Sequence, residues 1–233
     1  MDLITHSLAG LALGTLSGEP ISLTNPIYLS AMLGSVAPDI DVLWGYKKLK
    51  RRRDLPKWLQ HRAITHSLVG MPVLAGSIAS GLHLIFPQTN FWLLLLFSLI
   101  GTLSHSLLDL MNCYGVNILW PVKKKAYSLN VIPLIDPVLI TFFLLMIGSV
   151  NIITTLPPAL LLTSVMYIAL RWIFFFRARN AMSLHYAVAP DAIQMTPPTI
   201  SVIKWDFSIE EEEDISGKVT CFPRFSVEEN KEN

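Results

Sequence analysis

The sequence predicts an all-α membrane protein, a bundle of about six transmembrane helices with a small cytoplasmic C-terminal tail. Only 15% of the 233 residues are charged, whereas soluble globular chains contain about 25%. Hydrophobic residues make up 52% of the chain, and the mean hydropathy is +0.49. The apolar residues also fall into long blocks separated by short charged ones, as in a multi-spanning protein.

Six apolar runs supply the predicted helices. They are 3–17, 26–37, 64–86, 91–111, 133–150 and 155–176. The first two runs are shorter than the roughly 20 residues that an upright spanning helix needs. Tilted spans and a re-entrant pair therefore stay open for them. We expect no cleavable signal peptide, because the start of the sequence lacks a basic segment and instead carries Asp2 and His6.

Basic residues alternate along the predicted topology. Eight Lys and Arg lie within 44–62 and three more are Lys123 to Lys125, whereas the loops after the first, third and fifth runs contain none. Arg177 and Arg179 close the last run. By the positive-inside rule, this alternation predicts a multi-pass protein with both termini in the cytoplasm.

The composition changes after the last apolar run, which predicts a helical membrane domain at 1–180 and a small soluble domain or tail at 181–233. Short β-type runs at 199–202 and 219–222 are broken by prolines, and 210–214 is acidic. The tail is therefore either a few strands or partly disordered. Cys113 and Cys221 fit no zinc or redox spacing, so we expect free thiols.

The segment 104–115 places His105 and Asp109 four residues apart at the end of an apolar run. On a helix, that spacing puts both side chains on one face, and Asn112 continues this face. An imidazole and a carboxylate in this position are costly unless something binds them, and a divalent metal is the simplest candidate.

Other ionisable residues converge on the same predicted membrane face. They are His6, Asp39, Asp41, His61, His66 and Asp136. Imidazole nitrogens and carboxylate oxygens suit zinc or a similar divalent ion. A water bound to such an ion would give a nucleophile near neutral pH, which predicts hydrolysis.

Most of these residues also have a structural explanation that the sequence leaves open, and His6 by itself fits a packed or interfacial histidine. His105 with Asp109 fits a hydrogen-bonded pair within a bundle, Asp39 and Asp41 fit polar helix ends, and His61 fits a solvated surface. For Asp136, which precedes Pro137, we favour capping of the fifth helix. Anionic lipid headgroups explain the basic segment 44–62 best, and we expect no direct binding of nucleic acid.

Four motifs together carry a family resemblance: THSLAG, APDID, HRAITHS and SHSLLDLMNCYG. In this order and at these intervals, they resemble the bacterial inner-membrane metal-dependent hydrolases of the YdjM type, over residues 1–180. The resemblance implies a multi-spanning inner-membrane protein with a divalent metal site and hydrolase activity. This family is also described as LexA-binding, and no residue here argues for or against that.

A more distant similarity is to the zinc-dependent phospholipase C group, in which histidines and aspartates bind zinc between helices. This likeness implies the ligands His6, Asp39, His66, His105 and Asp109. It implies that Asp41, His61 and Asn112 orient the ligands or the substrate. The chain has too few histidines for a full trinuclear site, so we expect one or two metals.

The expected function is therefore hydrolysis at the cytoplasmic membrane interface, with membrane lipid or another amphiphilic phosphoester as substrate. In this hypothesis Asp41 or His61 is catalytic and moves a proton. Two alternatives remain. One is a transporter or ion-binding protein, and the other is a non-catalytic membrane protein with a structural metal and a protein partner that the sequence does not identify.

Overall fold

The computed structural model describes residues 2–22, 24–41, 62, 64–123, 125–197, 199, 204–209, 215–220 and 226–229. Most of the basic segment, the acidic run 210–214, His61 and Cys221 lie outside the described residues.

Six α-helices are present in this part of the chain. They are α1 (Leu3–Gly14), α2 (Pro26–Val36), α3 (Gly70–Ile85), α4 (Phe91–Met111), α5 (Pro137–Ser149) and α6 (Leu156–Tyr186). A 3-10 turn, Ala37–Ile40, follows α2 directly, and another, Ile64–His66, comes shortly before α3.

Side-chain caps fix where four of these helices begin. Asp2, Asn25, Asn90 and Asp136 each accept hydrogen bonds from the first free backbone N–H groups of α1, α2, α4 and α5. Such caps satisfy donors that would otherwise lack a partner. The capping function favoured for Asp136 is therefore confirmed.

The prediction of a six-span bundle is wrong. Among the described residues, only α4 and α6 are long and apolar enough to cross a membrane. The other four helices have 11 to 16 residues, which gives lengths of about 16 to 24 Å against a hydrocarbon core of about 30 Å. The positive-inside rule predicts the side of the termini only when all six runs cross. With two candidate spans among the described residues, neither a multi-pass topology nor cytoplasmic termini are supported.

Helices α2 and α4 pack at very short distance, and this contact positions the candidate site. A Cβ atom on Gly34 would lie 2.3 Å from the Ser98 carbonyl oxygen, and one on Gly101 would lie 2.3 Å from the Ala31 carbonyl oxygen. Only glycine permits this approach of the two backbones. The close contact brings the turn after α2 beside the last two turns of α4.

The tail contains a four-stranded antiparallel sheet in the order β1-β2-β3-β4. The strands are Ile193–Thr196, Lys204–Ile209, Ile215–Thr220 and Ser226–Glu229. Its buried face packs on the C-terminal part of α6, where Phe175, Ala178 and Met182 meet Met195 and Trp205. The predicted β character therefore resides in a sheet docked on the last helix.

The sheet lies at the same end of the molecule as the end of α4. The Val131 N–H donates to the Met111 carbonyl at 2.7 Å, and the neighbouring Asn130 amide donates to the Met195 carbonyl of β1. Helix α6 runs through residue 180 to Tyr186, and the division into domains 1–180 and 181–233 stays a prediction.

Candidate metal centre

Four side chains from three separate segments meet inside the helical part. His105 and Asp109 come from one face of α4, as their spacing predicts, while Asp39 and His66 come from the two 3-10 turns. One ligand-type atom from each residue lies within 4.8 Å of the others. His66, His105 and Asp109 are fully buried, and the Asp39 side chain is 17% exposed.

Five of the six distances between the residues of this cluster lie between 3.0 and 3.8 Å. His66 Nε2 and His105 Nε2 lie 3.0 Å apart, and each lies 3.5 Å from Asp39 Oδ1. Asp109 Oδ2 lies 3.7 Å from His66 Nε2 and 3.8 Å from His105 Nε2. Ligands about 2.0 to 2.1 Å from a tetrahedral zinc ion are roughly 3.3 Å from one another, so the cluster has nearly the required size.

Hydrogen bonds behind the two imidazoles decide which ring nitrogens face the cluster. His105 Nδ1 lies 2.7 Å from the Ser35 carbonyl oxygen. A carbonyl only accepts, so Nδ1 donates and the neutral ring keeps a lone pair on Nε2.

The same argument holds for His66. The Thr65 hydroxyl donates to Asp41 Oδ2 at 2.7 Å, so its oxygen is left to accept from His66 Nδ1, 3.0 Å away. Burial lowers the pKa of His66 below its ordinary value of 6.5, which favours the neutral ring at neutral pH. Its Nε2 lone pair therefore also faces the cluster.

The carboxylate of Asp39 completes an arrangement of acceptors. Two imidazole lone pairs and two carboxylate oxygens then point at one small volume. Such a group is strongly repulsive by itself and is stabilised by a cation. The residues fit a divalent metal.

His6 contacts the edge of this cluster, on the second oxygen of Asp109. Its Nε2 lies 3.3 Å from Asp109 Oδ1, and its ring stacks on His105 with centroids 3.7 Å apart. Asn112 Nδ2 donates to the same oxygen at 3.0 Å. His6 is thus close to the centre but outside the group of four. Its predicted place as a ligand stays a prediction, and Asn112 is placed to orient Asp109.

Asp41 lies behind His66. Its Oδ2 accepts from the Arg62 backbone N–H at 3.0 Å as well as from Thr65, and it is 3.8 Å from His66 Nδ1. These contacts orient the imidazole from the side away from the cluster. Catalysis by Asp41 stays a prediction, and His61 lies in the part of the chain that the structure does not describe.

Arg62 is a site residue that the sequence argument missed. Its guanidinium lies 3.2 Å from Asp109 Oδ2 and 5.0 Å from the centre of the Tyr114 ring, and the side chain is 15% exposed. In the sequence it stands out only as the last of the basic residues in 44–62. Its place between two histidines of the HRAITHS motif was the available signal.

These features define a class: a protein whose described residues include two helices able to cross a membrane and a buried His/Asp cluster able to hold a metal ion. The chain belongs to the family described as YdjM inner membrane protein, which it matches over residues 1–180. The family resemblance inferred from the motifs is thereby confirmed.

One individual protein is also similar to this chain in sequence. The chain is 31% identical over 143 residues to the uncharacterized protein YfhP of Bacillus subtilis (strain 168), an alignment that covers 59% of this chain and 42% of that protein. The chain therefore spans less than half the length of this relative. No solved structure matches.

Proposed function

We propose that this protein is a membrane-bound, metal-dependent hydrolase, with zinc or a similar divalent ion held by Asp39, His66, His105 and Asp109. The observation that carries the proposal is the meeting of two imidazole lone pairs and two carboxylate oxygens within 4.8 Å. Nitrogen and oxygen ligands without thiolate are typical of catalytic zinc sites.

The exposure of the cluster supports catalysis over a purely structural metal. Three of the four residues are fully buried, but the side chain of Asp39 is 17% exposed. A closed structural site has no such opening. A divalent metal bound here would polarise a substrate oxygen and lower the pKa of water.

The proposed reaction is hydrolysis of a phosphoester. Water oxygen bonds to phosphorus as the ester P–O bond breaks, and the departing alkoxide takes up a proton from that water. Arg62 supports this choice of substrate, since its guanidinium sits at the centre and matches the oxygens of a phosphoryl group. Asp41 and His61 are retained as the candidates for moving the proton.

The site is proposed to lie at the cytoplasmic face of the inner membrane. His105 and Asp109 stand in the last two turns of α4, a candidate span, so the centre is near one membrane surface. Arg62 closes the segment 44–62, which carries eight basic residues, and such segments are enriched on the cytoplasmic side.

The first prediction concerns metal content and turnover. We expect wild-type protein, purified without chelator, to hold a stoichiometric divalent metal and to hydrolyse a short-chain phosphate ester. His66→Ala and His105→Ala should lose the metal and at least about a hundredfold in activity, because each removes one ligand. Elemental analysis and phosphate release provide the two measurements.

His83→Ala is the matched control, because His83 is bonded to the Thr89 carbonyl at the far end of α3. It should keep both metal and activity. Equal metal content in all four proteins would contradict the proposed ligands. Metal without turnover of phosphoesters would contradict the hydrolase, and metal flux across vesicles would then indicate the transporter.

A further inference from the structure

A large apolar cavity opens directly beside the metal centre. Its volume is about 710 Å³, and it lies between the start of α1, the end of α2 and one face of α3. Its described lining is apolar except for Asp39 and Ser77. Several lining side chains are exposed, including Leu3 and Ile85, which is 70% exposed. Apolar surface of this kind is unfavourable in water and indicates an apolar occupant.

Small residues on α3 create the space. Ser77 and Gly81 are one turn apart and line the cavity, and a Cβ atom on Gly81 would meet nothing within 4 Å. Leu or Phe at either position would occupy much of the volume. The cavity is therefore a consequence of residue size at two positions on one helix face.

Asp39 belongs to both the cavity and the metal centre. Asp39 lines the cavity, and its Oδ1 lies 3.5 Å from His66 Nε2 and from His105 Nε2. A molecule with an apolar chain in the cavity would therefore present its polar end to the centre. The geometry thus favours an amphiphile over an entirely apolar ligand or a protein segment.

We propose that this cavity binds the hydrocarbon chain of a membrane amphiphile whose phosphate head reaches the metal centre. That the head is a phosphate rests on the proposed function. The binding site for the hydrocarbon chain, called the chain site below, rests on the cavity alone. The volume falls within the range of about 300 to 1,000 Å³ that is typical of small-molecule sites. The chain belongs to an inner membrane family, so membrane lipid is an available source of such an amphiphile.

The second prediction tests the chain site by photolabelling. The probe is dodecyl phosphonate with a diazirine at the chain end, added to the metal-loaded protein in phosphatidylcholine nanodiscs. A phosphonate has no ester bond to hydrolyse, so labelling does not depend on turnover. We expect labelled peptides from the cavity walls on α2 and α3. Butyl, octyl and dodecyl phosphonates should compete with increasing strength, by up to about fourfold for each added methylene.

Two variants on α3 separate cavity binding from partition into the bilayer. Gly81→Phe fills the cavity and should reduce cavity labelling by about tenfold or more. Gly76→Phe is the matched control, because its Cβ also meets nothing within 4 Å but Gly76 does not line the cavity. It should change labelling by less than about twofold.

The outcomes distinguish this inference from the proposed function. Labelling that is equal in both variants, or that spreads over the outer face of α6, would overturn the chain site. Cavity labelling without hydrolysis of any phosphoester would contradict the hydrolase and leave the chain site standing. Loss of labelling after removal of the metal by EDTA would place the phosphonate head at the centre, and unchanged labelling would overturn that part of the proposal.

Discussion

At the scale of single residues, the candidate centre depends on groups that hold the imidazoles rather than on the ligands alone. The Ser35 carbonyl fixes the tautomer of His105, and Thr65 with Asp41 fixes that of His66. Loss of a residue of this kind typically lowers metal affinity or activity by about 10- to 100-fold. Neither Ser35 nor Thr65 is distinguishable from any other small polar residue in the sequence.

The third prediction concerns Thr65. Thr65→Val keeps the shape of the side chain but removes the hydroxyl that accepts from His66 Nδ1. The ring then loses its fixed tautomer, so we expect metal affinity to fall by about 10- to 100-fold. The measurement is metal competition with a calibrated chelator. Thr65→Ser restores the hydroxyl and should remain within about threefold of wild type. Identical affinity in Val and Ser variants would show that Thr65 does not orient His66.

At the scale of elements, the contact between α2 and α4 places Asp39 beside His105. The two glycines, Gly34 and Gly101, leave no room for a Cβ atom, and the 3-10 turn that carries Asp39 begins directly after α2. A larger residue in this contact must move the turn away from α4. The geometry of the metal centre is therefore coupled to helix packing.

The fourth prediction concerns this packing. Gly34→Ala should lower the free energy of unfolding by about 1 to 3 kcal/mol, because its Cβ meets the Ser98 carbonyl. It should weaken metal binding in the same preparation. Gly148→Ala is the control, since a Cβ there meets nothing within 4 Å and alanine favours the helix by up to about 1 kcal/mol. Thermal unfolding and metal competition are the measurements, and equal stability of the two variants would rule out the tight contact.

At the scale of the whole molecule, α6 is the element most clearly built for a membrane. It has 31 residues, or about 46 Å. Its apolar residues Leu162, Val165 and Ile173 are all more than half exposed. Its C-terminal part carries the sheet through Phe175 and Met182. The helix is longer than the roughly 30 Å hydrocarbon core, so it is long enough for its first part to cross a membrane while its last part projects.

The fifth prediction tests this placement by cysteine accessibility. In a background with Cys113→Ser and Cys221→Ser, Val165→Cys should be protected from a membrane-impermeant maleimide in intact membranes, because lipid covers it. Asn180→Cys, exposed near the C-terminal end of the same helix, should react in inverted vesicles if that end is cytoplasmic. Both should react after denaturation in SDS. Full labelling of Val165→Cys in intact membranes would mean that α6 does not span.

The sequence by itself determined the chemistry of the centre and the family. The pairing of His105 with Asp109 follows from helix periodicity, and the capping by Asp136 follows from its position before a proline. Both are local properties, in which spacing of a few residues fixes geometry. The four motifs likewise identified the family without any structure.

The number of spans was decided only by the tertiary structure. Hydropathy counts apolar residues, but it does not show where a helix begins. The run 64–86 yields helix only from Gly70, because its first residues form the turn that presents His66.

The tertiary structure also decided which distant residues lie close together. Asp39, His66 and Arg62 reach Asp109 through helix packing that involves two glycine contacts, and the apolar cavity exists because two small residues share a face of α3. Long-range packing depends on which surfaces approach within a few ångströms, and a linear pattern does not specify this. The sequence therefore indicated which side chains could bind a metal, and the fold showed which of them converge.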